Sequence, residues 1–315
     1  MSGPVLNTGA AGFAGSHLID LLSRNGADSG AHIVAWHRPG GAPPGAGQRV
    51  TWQAVDVVNA EAVSGAIASI RPAAVYHCAG AAHVGRSWEN TTSTFEINVR
   101  GTHHLLEGLR RAGLRSKVVI PSSAMVYESS EDVLTEEHPL VPHSPYALSK
   151  LAQEMVGLRA RGDGLHVTIA RSFTHIGPRQ DPFFSASGFA RRIADIEAGK
   201  WEAEIAVGNL EARRDITDVR DTVRAYKLIL ENGTDGRAYN VCSGRAIAIG
   251  ALLDKLLSRA KVAIKVRVDP ARYRPNDAPL LVGDPTRLTT ELGWLPEISL
   301  DQTLDDLLSY WRGRA

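Results

Sequence analysis

Hydrophobic positions change their spacing along the chain in a regular alternation. Short β-branched or apolar runs at Val5–Thr8, His32–Trp36, Thr51–Val55, Ala74–His77, Lys117–Ile120 and His166–Arg171 are spaced as strands. Between them, Gly12–Ser23, Ala60–Ser69, about Thr92–Ala112 and Tyr146–Arg161 carry the three-to-four-residue period of helices. Continuous apolar strands joined by helical crossovers predict a parallel sheet covered on both faces, a doubly wound α/β fold. From Gly177 the alternation breaks. A helix near Phe189–Ala198, an edge-like Glu204–Val207, a polar stretch Asn209–Asp221, a strand Arg237–Cys242 and elements at Ile249–Ser258, Ala263–Val268 and Leu300–Tyr310 predict a smaller C-terminal lobe. The expected division places residues 1–175 in the larger unit, with 215–245 returning to it, and 176–214 with 246–315 in the smaller one.

Composition narrows the classes. The 315 residues suffice for one large α/β unit and a lobe. With 35 basic against 34 acidic residues, no global field draws the chain to nucleic acid or an anionic membrane, so any anion site is local. The basic doublets at Arg110 with Arg111, Arg191 with Arg192 and Arg213 with Arg214 are too short and dispersed for nucleic-acid binding, and surface charge is expected of them, Arg214 excepted. Cys78 and Cys242 lie far apart without a CxxC pair, a pattern of reducing compartments, and both read as buried small hydrophobes. The N-terminal segment lacks the basic start and apolar stretch of a signal peptide, and no run of eighteen apolar residues follows, so a cytoplasmic protein without membrane contact is expected. His103 and His104 are adjacent rather than four apart, and no compact Cys/His set forms, so no metal is expected.

The segment GAAGFAG sets Gly9, Gly12 and Gly15 directly after a predicted strand and at the start of a helix. Gly9 permits the tight turn, Gly12 the approach of backbone to a pyrophosphate, and Gly15 close helix–strand contact, while the helix N-terminus favours the phosphate charge. Phe13 and Ala14, inside the same turn, belong to this cofactor-binding set. A glycine-rich turn that merely joins strand to helix would look alike in isolation; the βαβ context makes the expected architecture Rossmann-like. The second strand ends HIVAWHRPG, with no Asp or Glu where a ribose-binding carboxylate usually stands and Arg38 nearby instead. Guanidinium can hold a 2′-phosphate that a carboxylate would repel, so NADP(H) is the preferred cofactor, with NAD(H) possible and a solvent-facing Arg38 the plainer reading. Asp56, followed by Val57, could accept from the adenine amino group or cap the next helix. In HCAGAAHVG, the small Ala79, Gly80 and Ala81 would let a dinucleotide lie against backbone. His83 invites a catalytic role, but nothing in the sequence fixes its partner.

PYALSK places Tyr146 and Lys150 four apart, on one face of a helix. An adjacent ammonium favours phenolate and moves a phenol from near pKa 10 toward the useful range. VVIPSSAMVY begins in a strand whose carboxyl end points to the same crevice, where Ser123 could orient a carbonyl and Ser122 could be a structural neighbour. Alone, each element also fits an ordinary helix or a hydroxyl bonded to backbone.

Together GAAGFAG, VVIPSSAMVY and PYALSK resemble the extended short-chain dehydrogenase/reductase family over nearly the full length. More narrowly, VGRSWEN, ARSFTHIGPRQ, VGNLEARRDITDVRDTVRAY, YNVCSG, RPNDAPLLVGDPTRL and ELGWLPEISLDQTLDDLLSYW resemble its GDP-mannose-modifying branch, in particular the GDP-6-deoxy-4-keto-D-mannose reductases. That resemblance implies that Ser123, Tyr146 and Lys150 are catalytic, that Asn98 supports the central helix and site geometry, and that two chains pair through helices as a homodimer. It implies hydride delivery to C4 of GDP-4-keto-6-deoxy-D-mannose, proton supply by Tyr146, and GDP-D-rhamnose as product. Related 4,6-dehydratases carry an acidic residue two positions after the one matching Ser123; this chain has Met125, and a thioether cannot exchange that proton. Glu128 stands where Gly is common after the residue matching Tyr127.

The substrate side is expected after Arg171. The family usually has Asn at the place of Thr174, which can make one hydrogen bond but not an amide's paired set. His175 either lines the cleft or packs as a neutral core histidine. Arg214 and Arg274 are the candidate diphosphate ligands of a GDP-linked sugar, with Asn209 a weaker contact or a turn residue, Arg213 a solvated charge, and Asp215 and Asp218 holders of Arg side chains or helix caps. Two other functions share these residues: a nucleotide-sugar 4-epimerase retaining NAD, and a noncatalytic NADP-binding sensor, against which Ser123, Tyr146 and Lys150 argue.

Overall fold

The computed structural model describes residues 3–29, 32–41, 50–272 and 278–315. Its main sheet has seven parallel strands in the order Ala238–Val241, His166–Ser172, Lys117–Ser123, Ala74–His77, Val5–Thr8, Ile33–His37, Val50–Ala54. Chain order reverses between Val5–Thr8 and Ala74–His77, so the loops at their carboxyl ends diverge and open a crevice there. The expected doubly wound Rossmann-like α/β sheet is present.

Side chains that alternate along these strands feed two separate cores. Leu6, Val118, Ile120, Val167 and Ile169 point to one face and pack with Val63 and Ile67 of the Ala60–Ile70 helix and Leu105, Leu106 and Leu109 of Gly101–Arg111. Val5, Ala74, Tyr76, Val119 and Val241 point to the other, against Leu18 of the Phe13–Ser29 helix and Val223, Tyr226 and Ile229 of Val219–Asn232. A third core joins the smaller lobe. There the Ser185–Glu197, Ile249–Leu257 and Leu300–Arg312 helices surround Glu204–Val207, which pairs with Lys265–Val268, and Arg213–Asp218, which pairs with Ala246–Ala248, Leu280–Leu281 and Thr174–Ile176.

Several expectations are corrected. The polar stretch Asn209–Asp221 contains the Arg213–Asp218 strand, and the helix that follows it, Val219–Asn232, had no counterpart in the expected elements. The first helix extends beyond Ser23 to Ser29. The long helix expected from Thr92 instead begins at Thr91–Phe95 and widens at Glu96–Arg100, where Gly101 N–H reaches Glu96 five residues back. Leu288 and Trp294, assigned by sequence to the smaller lobe, pack in the main-sheet core, with the Trp294 indole donating to Asp221 O at 3.1 Å. No helix among the described residues is long and apolar enough to cross a membrane.

One buried ion pair ties the sheet to the Pro145–Ala160 helix. Arg171 donates through Nη2 to Glu154 Oε2 at 2.8 Å and through Nε to Oε1 at 3.1 Å, and Ser122 donates to Oε1 at 2.5 Å. Both charged side chains are nearly inaccessible to water, 7% and 2% exposed, so neither can be resolvated if its partner leaves. Glu154→Gln is expected to lower unfolding stability by about 3–5 kcal/mol, read from urea denaturation; a loss under about 1 kcal/mol would show that the pair does not anchor this helix.

Candidate active site

A cleft of about 1140 Å³ runs from the crevice into the smaller lobe. Gly9, Gly12, Phe13, Ala14 and Gly15 line its first wall. Gly9 has φ +64°, and a Cβ there would stand 2.6 Å from the Ala79 backbone; a Cβ on Gly15 would stand 2.2 Å from Gly9 O. Both positions therefore exclude side chains because backbone meets backbone. Asn7 Nδ2 donates to Gly15 O at 3.0 Å and fixes the turn from below. The helix begun at Phe13 has no acidic residue in its first turn, so its exposed N–H groups offer uncompensated positive potential.

Gly80 and Ala81 line the same cleft. Asn98, fully buried in the widened helical turn, holds Ala81 by both backbone groups: Oδ1 accepts its N–H at 2.7 Å and Nδ2 donates to its carbonyl at 3.2 Å. The same Nδ2 donates to Ser149 Oγ at 2.8 Å, linking this loop to the Pro145–Ala160 helix. Asn98 thus has a geometric role in the site, as the resemblance implied.

Four cofactor candidates lie off the cleft wall. Arg38 is exposed just past the Ile33–His37 strand. Asp56 is half-buried, but it does not cap the next helix: Asn59 does, while Asp56 Oδ1 accepts the Val58 N–H at 3.1 Å. Val57 is buried in the core beside Gly101, and its carbonyl meets His104 Nδ1 at 3.1 Å. Ala79 turns its N–H to Thr8 Oγ1 at 3.2 Å, and its part is to set the loop's path. Cys78, expected buried, is half-buried and faces the cleft, where desolvation pushes its thiol up to about 12.

Ser123, Tyr146 and Lys150 converge on the cleft from the end of the Lys117–Ser123 strand and the first turns of the Pro145–Ala160 helix. Ser144 caps that helix through Ala147 N–H, and Pro145 at its first position fits the fixed φ of a helix start. Ser123 Oγ accepts the Met125 N–H at 3.2 Å and hydrogen-bonds Tyr146. Burial pushes the Tyr146 phenol above its ordinary value and the Ser123 bond opposes this. The Lys150 ammonium, expected to draw Tyr146 toward phenolate, is held by Pro121 O at 2.6 Å and Gln153 Oε1 at 2.5 Å, and the phenol lies above rather than below its ordinary value. Desolvation pulls Lys150 down to about 8, with the Glu154 carboxylate opposing. The phenol is thus protonated at neutral pH, the form that can give a proton. Ser122 bonds Glu154 and acts as the structural neighbour.

Thr174, His175, Asn209 and Arg214 line the far part of the cleft, while Arg274 lies outside the described residues. His175 stacks on Phe13, ring centres 5.7 Å apart and 7° from parallel, and burial lowers its pKa, so it is both a neutral packed histidine and a lining residue. Asn209 Oδ1 accepts the Glu211 N–H at 2.9 Å, as a turn residue does. Asp215 accepts from Ser243, Gly244 and Gly283, and Asp218 caps Val219–Asn232 while holding Arg220, so both keep structural roles. His83 stacks on Phe184 at 4.7 Å and stands 3.6 Å from Asp181. Arg192, expected as surface charge, lines the cleft with its guanidinium 4.2 Å from the Trp201 ring centre. A doublet in sequence could not tell which member faces inward; the helical period of Ser185–Glu197 could. Among the described residues no His, Cys, Asp and Glu group could hold a metal ion.

Known proteins carry the same frame. "GDP-6-deoxy-D-mannose reductase" of Pseudomonas aeruginosa is 34% identical over 311 residues, 98% of this chain and 96% of that protein. The structure of RMD from Pseudomonas aeruginosa complexed with NADPH superposes with a TM-score of 0.84 at 31% identity, covering all of both chains. Thermus thermophilus UDP-glucose 4-epimerase in complex with NAD gives a TM-score of 0.88 at 28% identity, over 99% of this chain and 100% of that one. With a matching family model across residues 6–307 and this fold, the chain belongs to the GDP-mannose 4,6 dehydratase family of extended short-chain dehydrogenases/reductases.

Proposed function

We propose that the chain is an NAD(P)H-dependent reductase of the C4 keto group of GDP-4-keto-6-deoxy-D-mannose, forming GDP-D-rhamnose. The observation that carries this reading is the composition of one cleft wall: Ser123, Tyr146 and Lys150 stand beside Met125. A keto reduction needs a proton donor and an oxyanion partner; removal of water across C5 and C6 also needs an acid–base group where the thioether stands. The likeness to the Pseudomonas reductase over nearly the whole chain supports the same choice.

The residues fit a dinucleotide. Gly9, Gly12, Phe13, Ala14 and Gly15 would hold the pyrophosphate at the helix N-terminus, and Gly80 with Ala81 leave space for close approach. Arg38 would take the 2′-phosphate, Asp56 the adenine amino group, and Val57 and Ala79 the backbone path beside them. NADP(H) is preferred with NAD(H) possible, in line with relatives complexed with either. The larger unit would hold the cofactor and the smaller lobe the GDP-sugar, its diphosphate met by Arg214 and Arg274 and its sugar by Ser123, Thr174, His175 and Asn209.

The bound nicotinamide supplies hydride. Tyr146 gives its phenolic proton to O4 as negative charge develops there, and Ser123 donates a hydrogen bond to the same oxygen. Lys150, held cationic by two acceptors, stabilises the phenolate that remains. A 4-epimerase would use the same three residues, and the likeness to the Thermus enzyme keeps that reading distinct; it would show no net cofactor consumption. The face of the Pro145–Ala160 helix bearing exposed Leu148 and Met155 is the surface we assign to a homodimer, in a protein acting in the cytoplasm.

Mixing the purified chain with the keto sugar and NADPH is expected to lower absorbance at the reduced nicotinamide band; no decrease with either NADPH or NADH would refute the reductase. Tyr146→Phe should cut that rate about 10²–10⁴-fold while NADPH still binds, and an unchanged rate would remove Tyr146 from the chemistry. Arg38→Ala should lower the NADPH-over-NADH preference in kcat/KM about tenfold or more, since a charge-assisted phosphate contact is lost; an unaltered ratio would assign Arg38 to solvent. Sedimentation velocity should find twice the 33.9 kDa chain mass, and a single-chain mass would overturn the dimer.

A further inference from the structure

Gln153 sits one turn beyond Lys150 on the same helix face and is fully buried. Its amide has two chemically opposite ends, and proton accounting decides which way it points. Thr102 has one hydroxyl proton, given to Asn98 O at 2.6 Å. Thr102 Oγ1 must therefore accept from its two other partners, Gln153 Nε2 at 2.8 Å and His77 Nε2 at 2.8 Å. Gln153 is left to present Oε1 to the Lys150 ammonium at 2.5 Å. With its proton on Nε2, His77 accepts the Thr8 hydroxyl on Nδ1 at 2.8 Å, and Thr8 Oγ1 accepts the Ala79 N–H at 3.2 Å. Burial and the Lys150 charge pull His77 down to about 3, so it remains neutral at ordinary pH and this order of donors persists.

We propose that Gln153 is a positioning residue for Lys150, its carbonyl held against the ammonium because Thr102, whose only proton goes to Asn98 O, can only accept from the other end of the amide. Reversing the amide would set an NH2 against an ammonium and an acceptor against a hydroxyl with no proton to give. With Pro121 O taking a second N–H, two of the three ammonium protons have fixed directions, and the third is the one available to the cleft. The glycine-rich wall and the lysine meet in one network: the Ala79 backbone that crowds Gly9 is bonded through Thr8 and His77 to the same Thr102 oxygen that accepts from Gln153.

The groups facing Lys150 are few. Glu154, on its own helix, favours the charged form; Cys78 and His77, at the end of the Ala74–His77 strand, are kept neutral by burial; Tyr146 stands one turn earlier. Gln153 carries no charge, so it acts on Lys150 only through the hydrogen bond. An acceptor on the ammonium favours its protonated form, so losing it moves the lysine pKa down from about 8, and replacing it with a carboxylate moves it up.

The test is the titration of Lys150 in the whole protein, read from the side-chain carbon next to Nζ by NMR of lysine-labelled protein, with Lys150→Arg identifying the signal. Gln153→Met, similar in shape but without an acceptor, is expected to lower the midpoint by about one pH unit or more, and Gln153→Glu to raise it. The fall in kcat/KM at high pH should move the same way in each variant. An unchanged Lys150 midpoint in Gln153→Met would overturn the proposal; should that variant not fold, an unchanged midpoint in Gln153→Glu would do so. The catalytic meaning rests on the reductase reading, yet the titration needs no turnover. A midpoint shifted in the variants, together with a wild-type chain that leaves NADPH unoxidised, would sink the reductase and keep the positioning role.

Discussion

The close approach of two backbones, Gly9 to Ala79, is the constraint on which the site depends. At 2.6 Å from a notional Cβ, no other residue type can occupy Gly9 without moving the loop that follows the fourth strand of the sheet order. That approach comes from the fold itself, since Val5–Thr8 and Ala74–His77 are hydrogen-bonded neighbours at the point where the winding reverses. Because the two loops leave the same edge, Thr8 and His77 are paired in register, and their side chains join beneath the loops. The cofactor wall, the buried polar chain and the lysine are consequences of one strand pairing.

Electrostatics in the cleft follow from burial more than from charge pairing. Desolvation holds the Tyr146 phenol protonated and loosens the Lys150 proton, while two protein acceptors keep the ammonium in place. A proton donor and a cation close to neutrality are therefore present before any ligand enters, at the carboxyl edge of a rigid parallel sheet. Removal of the acid–base group at Met125 limits what that pair can do. A thioether at this position cannot exchange a proton, so the wall offers no acid–base group there for removal of water.

Much of this was legible in the sequence because the signals were local. GAAGFAG, PYALSK and VVIPSSAMVY each carry their geometry within a few residues, and strand alternation gave the sheet. The Val219–Asn232 helix was missed although Val223, Tyr226, Ile229 and Leu230 have helical spacing; its charged start, Asp218 to Asp221, reads as a polar loop until Asp218 is recognised as a cap. Arg192 was hidden by its neighbour Arg191, since facing depends on how the smaller lobe folds back over the crevice. The network through Gln153, Thr102, His77 and Thr8 spans residues 8 to 153, and no local pattern announces it. Val57 stands beside Asp56 in sequence, but its side chain packs in the core, a burial no local pattern shows.

Net transfer of hydride to the sugar is the central claim. Reaction of the keto sugar with NADPH carrying deuterium at its transferable position, followed by mass and proton NMR analysis, tests it most directly. The account predicts one deuterium at C4 of the product for each cofactor oxidised. Product formed without cofactor oxidation, or with deuterium absent from C4, would contradict it.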